Sequence, residues 1–239
     1  MSELVGVLGP ATVDEITLGD GPAKRRPGGT PHYAGRALRA VGAMPVAIET
    51  GRLVSRLRHT ASGTEQEIVT VPEPLLPEDA RALLPRLAGC RWVLLGGQTA
   101  GDFPAETVQL LVDAGHLLCL DGQGLARGAD AGPVSLRAIP AASLAGVAAL
   151  KVNEAEAEAS PGLDAAELLV TRAERGAVVT ADGRRHVIAG SGRRLADPTG
   201  AGDTFGALYC LARTRGLGPA AAGRFAQDGV EQLYPAEQG

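Results

Sequence analysis

The nine residues Asp197-Pro198-Thr199-Gly200-Ala201-Gly202-Asp203-Thr204-Phe205 set a carboxylate beside a turn of small residues that opens a helix. Residue types in that order suit phosphoryl transfer. Pro198 disfavours helical geometry at Asp197, so the chain should arrive extended and turn helical only after Gly200, from about Ala201 to Thr214. The first amides of such a helix have no intrahelical partners, and with the positive end of the macrodipole they form a cradle for an anion. Gly200, Ala201 and Gly202 add almost no side chain, which lets a phosphate come close to the backbone as an anion hole. Asp203 falls at the edge of that cradle, where a carboxylate can hold an acceptor hydroxyl in line with a terminal phosphate and take its proton. A Thr-capped, Ala-rich helix start would explain Pro198, Thr199 and the glycines without any ligand. It does not explain an Asp at 203.

This stretch resembles the C-terminal signature of the ribokinase-like carbohydrate kinases, the PfkB type, which reads D-T-T-G-A-G-D-x-F; Pro198 is the main variation. Further motifs follow the family's order along nearly the whole chain. The run Val5-Gly6-Val7-Leu8-Gly9 leads to Asp14, and the resemblance implies that Asp14 accepts hydrogen bonds from substrate hydroxyls. Pro27-Gly28-Gly29-Thr30 resembles the family's first signature, in which the paired glycines, here Gly28 and Gly29, let backbone approach the substrate; by itself such a sequence means only a turn. Asn153-Glu154-Ala155-Glu156 matches the motif N-x-x-E, which implies that Glu156 positions magnesium through water and that Asn153 lies near the phosphates. An Asn cap with acidic residues in the first helical turn produces the same letters. Glu154 and Glu158 are read as solvated charges of that turn. The segment Val170 to Gly176 resembles the nucleotide-contacting T-x-G-x-x-G, with Ala173 in place of the middle Gly, so only Thr171 and Gly176 carry over. Tyr33 stands where many relatives have a substrate-contacting Asn, and its ring would offer an apolar face and a hydroxyl to the substrate. The acidic, Gly-containing segment expected after Thr50-Gly51-Arg52 is missing, and fewer residues follow Asp203 than in typical members.

The elements that must position these groups are legible as alternating apolar runs and amphipathic stretches. Leu4 to Gly9, Pro45 to Thr50, Arg91 to Gly96, His116 to Asp121, Ala148 to Asn153, Leu168 to Thr171 and Gly176 to Ala181 read as strands. Helices are expected at Pro31 to Val41, Pro77 to Leu87, Pro104 to Ala114, Ala201 to Thr214 and Pro219 to Leu233. Such alternation implies an α/β fold with a mostly parallel sheet covered on both faces, and ligands gathered at the C-terminal strand ends. The strand end Leu120 to Gly124 should then border the substrate pocket, with Gln123 as a contact. Two segments, about 14–26 and 56–71, carry Thr- and charge-rich patterns suited to half-exposed strands. The resemblance makes them a small β lid on a ribokinase-like three-layer α/β/α sandwich, a single domain over 1–239, and allows a homodimer through the lid.

Composition bounds the partners. Of 239 residues 45% are hydrophobic and only 3% aromatic, so Ala, Leu and Val must fill the core. The 23 basic and 27 acidic residues give a net charge of -4, which argues against general nucleic-acid binding. Cys90, Cys119 and Cys210 are widely spaced in apolar surroundings and read as buried small hydrophobes. No signal-peptide pattern and no membrane-length apolar run is visible, so a cytoplasmic protein with no membrane partner is expected. Walker A, G-x-G-x-x-G after a strand and the nucleophile elbow are all absent. The resemblance therefore implies an ATP-dependent kinase of a small sugar, polyol or inositol-like alcohol, with ATP, Mg2+ and in some members a monovalent cation as cofactors. A nucleoside or vitamin-like alcohol kinase of the same fold, and a sensor that binds sugar or nucleotide without turnover, are the alternatives.

Overall fold

Trp92-Val93-Leu94-Leu95 contains no polar side chain because both faces of that strand are covered: Trp92 and Leu94 point into one core, Val93 and Leu95 into the other. The computed structural model describes residues 3–60, 63–128 and 130–236. Its strands are β1 (Leu4–Leu18), β2 (Lys24–Gly28), β3 (Met44–Thr60), β4 (Gly63–Ile68), β5 (Trp92–Leu95) and β6 (Leu117–Asp121). They continue as β7 (Gly132–Pro133), β8 (Ala149–Asn153), β9 (Glu167–Thr171), β10 (Gly176–Ala181) and β11 (Arg184–Ala189). The helices are α1 (Thr30–Ala40), α2 (Pro77–Leu87), α3 (Ala105–Asp113), α4 (Gln123–Ala126), α5 (Glu154–Ala159), α6 (Ala201–Thr214) and α7 (Pro219–Leu233).

Among the described residues all eleven strands belong to one sheet, ordered β11-β10-β9-β8-β6-β5-β1-β3-β4-β7, with β2 paired to β1. The central pairings from β3 through β1, β5, β6 and β8 to β9 are parallel, and antiparallel strands are added at both ends. Helices α1, α6 and α7 bury Ala34, Leu38, Leu208, Tyr209 and Ala226 against one face. On the other, α2 and α3 bury Leu87, Val108 and Leu111. The result is the three-layer α/β/α arrangement expected from the alternation.

The lid is built differently from the expectation. Neither β1 nor β3 stops where the apolar run stops; each continues as one strand out of the core sheet. The register passes from Gly9 opposite Glu49 to Ala11 opposite Arg52, so β3 carries one extra residue there. Such a bulge bends the pair and re-aims the outer half. That outer half, with β2, β4 and β7, forms the lid over the segments expected at 14–26 and 56–71; residues 61 and 62 lie outside the described residues, as do the ends of the 1–239 span. Among the described residues no helix is long and apolar enough to cross a membrane.

Candidate active site

A cleft of about 1210 Å³ opens at the C-terminal ends of the parallel strands, between the lid and the start of α6. Gln98, Asp121 and Asn153 reach it from β5, β6 and β8 or just beyond them, which is where this topology leaves a crevice.

Gly200 is the N-cap of α6, with φ 81° and ψ 1°. Only glycine adopts this backbone cheaply, and here a Cβ would also strike the ring of Tyr33. The amide of Ala201 donates to Pro198 O at 3.0 Å, and the first bond of the helix runs from Thr204 N to Gly200 O at 2.9 Å. Among the described residues the amides of Gly200, Gly202 and Asp203 have no partner. Of the three residues expected to form the cradle, Gly200 and Gly202 keep open amides while that of Ala201 closes the turn, and the amide of Asp203 is open beside them.

Asp203 is half-buried in the first turn of α6. The hydroxyl of Thr30, the fully buried first residue of α1, donates to its Oδ1 and also lies 3.2 Å from Gly96 O. Two helix starts 173 residues apart therefore fix the carboxylate between them. Burial, and next the charge of Asp121, raise its pKa from 3.8 to about 6, against the opposing pull of Thr30 and Lys151.

Lys151 is a residue the sequence reading passed over. It sits inside β8 with its side chain 6% exposed, and its Nζ lies 2.8 Å from Asp121 Oδ2. A Cβ on Gly202 would come within 2.9 Å of the same Nζ. Gly202 is thus small because an ammonium fills the space beneath the first turn of α6. Burial works against that charge, but Asp121, Glu156 and Asp203 outweigh it and hold the Lys151 pKa above its ordinary value. The available signal was a lone charge in an otherwise apolar strand, Ala149-Leu150-Lys151-Val152.

At the lid end, Asp14 is buried and already accepts three hydroxyls. Thr12 donates at 2.6 Å and Ser55 at 2.7 Å to Oδ1, and Tyr33 donates at 3.1 Å to Oδ2. A Cβ on Gly28 would collide with Asp14 Oδ2, and one on Gly29, where φ is 84°, with Pro10 O. These two glycines make room for the chain's own carboxylate and turn. Gly29 lines the cleft and Gly28 does not. Tyr33 is 5% exposed and spans the gap between Asp14 and Gly200, so its ring partly fills the pocket.

Asn153 and Glu156 form a complete capping box at the start of α5. Asn153 Oδ1 accepts from Glu156 N at 2.9 Å, and Glu156 Oε2 accepts from Asn153 N at 2.9 Å. Both also line the cleft. Burial and the Asp121 charge raise the Glu156 pKa, while Lys151 and Arg127 pull it down. A divalent cation held through water is compatible with this donor set, because magnesium takes carboxylate oxygen and keeps most of its own waters. No cluster of three acidic, His or Cys side chains stands ready as a direct cage among the described residues. Glu154, in the first turn of α5, pairs at the surface with Arg175 of the turn between β9 and β10.

Along that turn, Thr171 donates its hydroxyl to Val152 O at 3.3 Å and lines the cleft. Gly176 has φ 90°, and a Cβ there would strike Ile188 O. Its glycine is set by the packing of β11. Ala173 keeps φ 49°, the left-handed backbone that suits a glycine. Gln123 lines the cleft at the start of α4, its backbone N–H donating to Asp121 Oδ1 at 3.2 Å.

The chain belongs to the pfkB family of carbohydrate kinases, whose model matches residues 63–228. Its fold is ribokinase-like. A pyrophosphate-dependent kinase in the ribokinase family, solved as a sulfate complex, superposes with a TM-score of 0.75 at 20% identity over 93% of this chain and 92% of its own. A pyrophosphate-dependent kinase of that family complexed with a pyrophosphate analog and myo-inositol gives 0.74 at 20% identity, with 93% and 92% covered. Ribokinase of Arabidopsis thaliana, complexed with ribose and ATP, gives 0.65 at 17% identity, with 96% and 92% covered. No curated protein matches the sequence.

Proposed function

We propose that this chain transfers a phosphoryl group from a diphosphate-bearing donor to one hydroxyl of a small polyhydroxylated alcohol of the sugar or inositol class. The observation that carries this reading is Asp203, a carboxylate with a raised pKa, oriented by Thr30 beside the open amides of Gly200 and Gly202. The acceptor hydroxyl rests against Asp203, which takes its proton as the new O–P bond forms. The donor's bridging O–P bond breaks, and the remaining phosphate leaves with the electron pair. The cradle amides and Lys151 face the charge on the transferring group, where fixed donors in a partly dry site act most strongly. Glu156 and Asn153 are the residues that would hold magnesium, which when bound neutralises donor phosphate charge. Asp14 keeps a lone pair on Oδ2 for a substrate hydroxyl beside that of Tyr33.

For the donor, the family resemblance leads to ATP, and two solved relatives use pyrophosphate. The end of the cleft away from the lid is lined by Glu174, Arg193, Arg194 and Glu231, and Phe205 there is 2% exposed within the core. Tyr33 and His59, the other rings on the lining, stand toward the lid. Leu195, Ala196 and Val230 line the cleft as well, so a base would meet apolar side chains beside the charge; what supports pyrophosphate is the likeness to the pyrophosphate-dependent kinases. Steady-state phosphate and ADP release should be measured with each donor against a panel of inositols, pentoses, hexoses and nucleosides. One polyol should turn over faster with pyrophosphate. Turnover with ATP alone would reverse the donor assignment, and binding of an alcohol with no turnover from either donor would leave a sensor.

A further inference from the structure

The turn that delivers the chain to the cradle is held from the lid. Arg26 on β2 places Nη2 2.6 Å from Asp197 Oδ2. The other oxygen of Asp197 accepts from Thr199 N at 3.0 Å. His59, near the outer end of β3, lies with Nε2 2.9 Å from Thr199 Oγ1 and with Nδ1 2.8 Å from Thr64 Oγ1 on β4. Thr199 is buried, so its amide and its hydroxyl are both fixed, one through Arg26 and Asp197 and the other through His59 and the β3–β4 hairpin.

Gly200 follows directly. Its left-handed backbone sets where its own amide and that of Gly202 point, so whatever fixes Thr199 fixes the cradle. The same lid strands carry the acceptor end: Asp14 and Ser55 sit on the outer halves of β1 and β3, and Tyr33, beside Arg26, packs over Asp14 and against Gly200. The Arg26–Asp197 pair has side-chain exposures of 40% and 24%. Ion pairs so exposed contribute little to stability, which leaves their position as the feature that calls for an account.

We infer that Arg26 and His59 are positioning residues that tie the lid to the Asp197–Thr199 turn, so that acceptor bound under the lid and donor bound in the cradle each tighten the other. The tie itself is a property of the free protein, and only the mutual tightening rests on the kinase reading. The tightening is reciprocal because any coupling between two binding free energies acts equally in both directions.

The full chain with Arg26→Ala, His59→Ala, Arg26→Lys or His59→Gln should first be compared with the parent by hydrogen exchange, without ligand. The protected amides of Thr199, Ala201 and Thr204 should exchange about tenfold faster or more in the Ala variants and nearer the parent rate in Lys and Gln. Amides of β5 should be unchanged and report an intact fold. Unchanged exchange at the turn overturns the tie. Next, the KM for pyrophosphate and for ATP should be measured at low and saturating myo-inositol and ribose. In the parent, saturating acceptor should lower the donor KM severalfold, and in the Ala variants that dependence should vanish while kcat at saturation falls less. A parent donor KM independent of acceptor overturns the coupling. If the parent turns over no alcohol with either donor, the kinase reading fails, and the exchange result alone decides the tie.

Discussion

At the residue scale the proposed mechanism pairs Asp203, as the group that accepts the proton, with Lys151, whose charge favours the ionised carboxylate. Asp203 must be ionised to act as a base, so kcat should rise with pH through about 6 and then level off. Lys151→Met removes the cation that pulls the Asp203 pKa down, so the rising limb should move to higher pH and donor affinity should weaken. A limb that stays in place would separate Lys151 from the base. The sequence showed Asp203 and the glycines because their order is short-range. Lys151 and Thr30 became site residues only when β8 and α1 converged on α6, which no local spacing records. Asp14 was legible as a residue of interest, but its three hydroxyl partners come from three separate places in the chain.

At the scale of elements, the apolar runs located the buried strands because covered faces demand continuous hydrophobicity. Where the chain leaves the core, that demand ends: strands were expected at about 14–26 and 56–71, but not as continuations of the core strands. The outer halves of β1 and β3 are held by each other and by β2 and β4, with mixed polarity, so their continuity was hidden. The hairpin β10–β11 turns on Asp182-Gly183, with φ 51° and 68°, a Asp-Gly signal that was present and passed over. Glu167 hid the start of β9, since its buried carboxylate is matched by Tyr209 at 2.6 Å and Arg213 at 2.6 Å from distant α6. The capping box of α5 raises a sharper question, because Glu156 serves the helix and faces the cleft at once. Glu156→Gln keeps an acceptor for the Asn153 amide and removes the charge. Unfolding free energy should change by less than about 1 kcal/mol, whereas the magnesium concentration for half-maximal rate should rise several-fold. An unaltered magnesium requirement with altered stability would make Glu156 a capping residue alone.

For the whole molecule, the Asp203 carboxyl should leave a signature in stability. Asp203 holds its proton more tightly folded than unfolded, so between its ordinary 3.8 and about 6 the folded state carries more protons. Stability from this group is complete below that window and is lost as pH rises through it. Asp203→Asn escapes the penalty: urea unfolding should show the variant close to parent near pH 3 and about 3 kcal/mol more stable at pH 7.5. Equal stability at both values would mean that the carboxylate is not strained by its enclosure. A single sheet running from the β10–β11 edge to the lid makes that strain part of the fold, since Thr30, Asp121 and Lys151 that surround Asp203 come from three elements of the same scaffold. The most direct measurement pairs the turnover of Asp203→Asn with calorimetric titration of the donor. With Asp203 as the base, kcat falls on the order of 10² to 10⁴-fold while donor affinity stays within a few-fold of parent or tightens slightly. Near-parent turnover by the Asn variant would remove Asp203 from the chemistry and contradict the account.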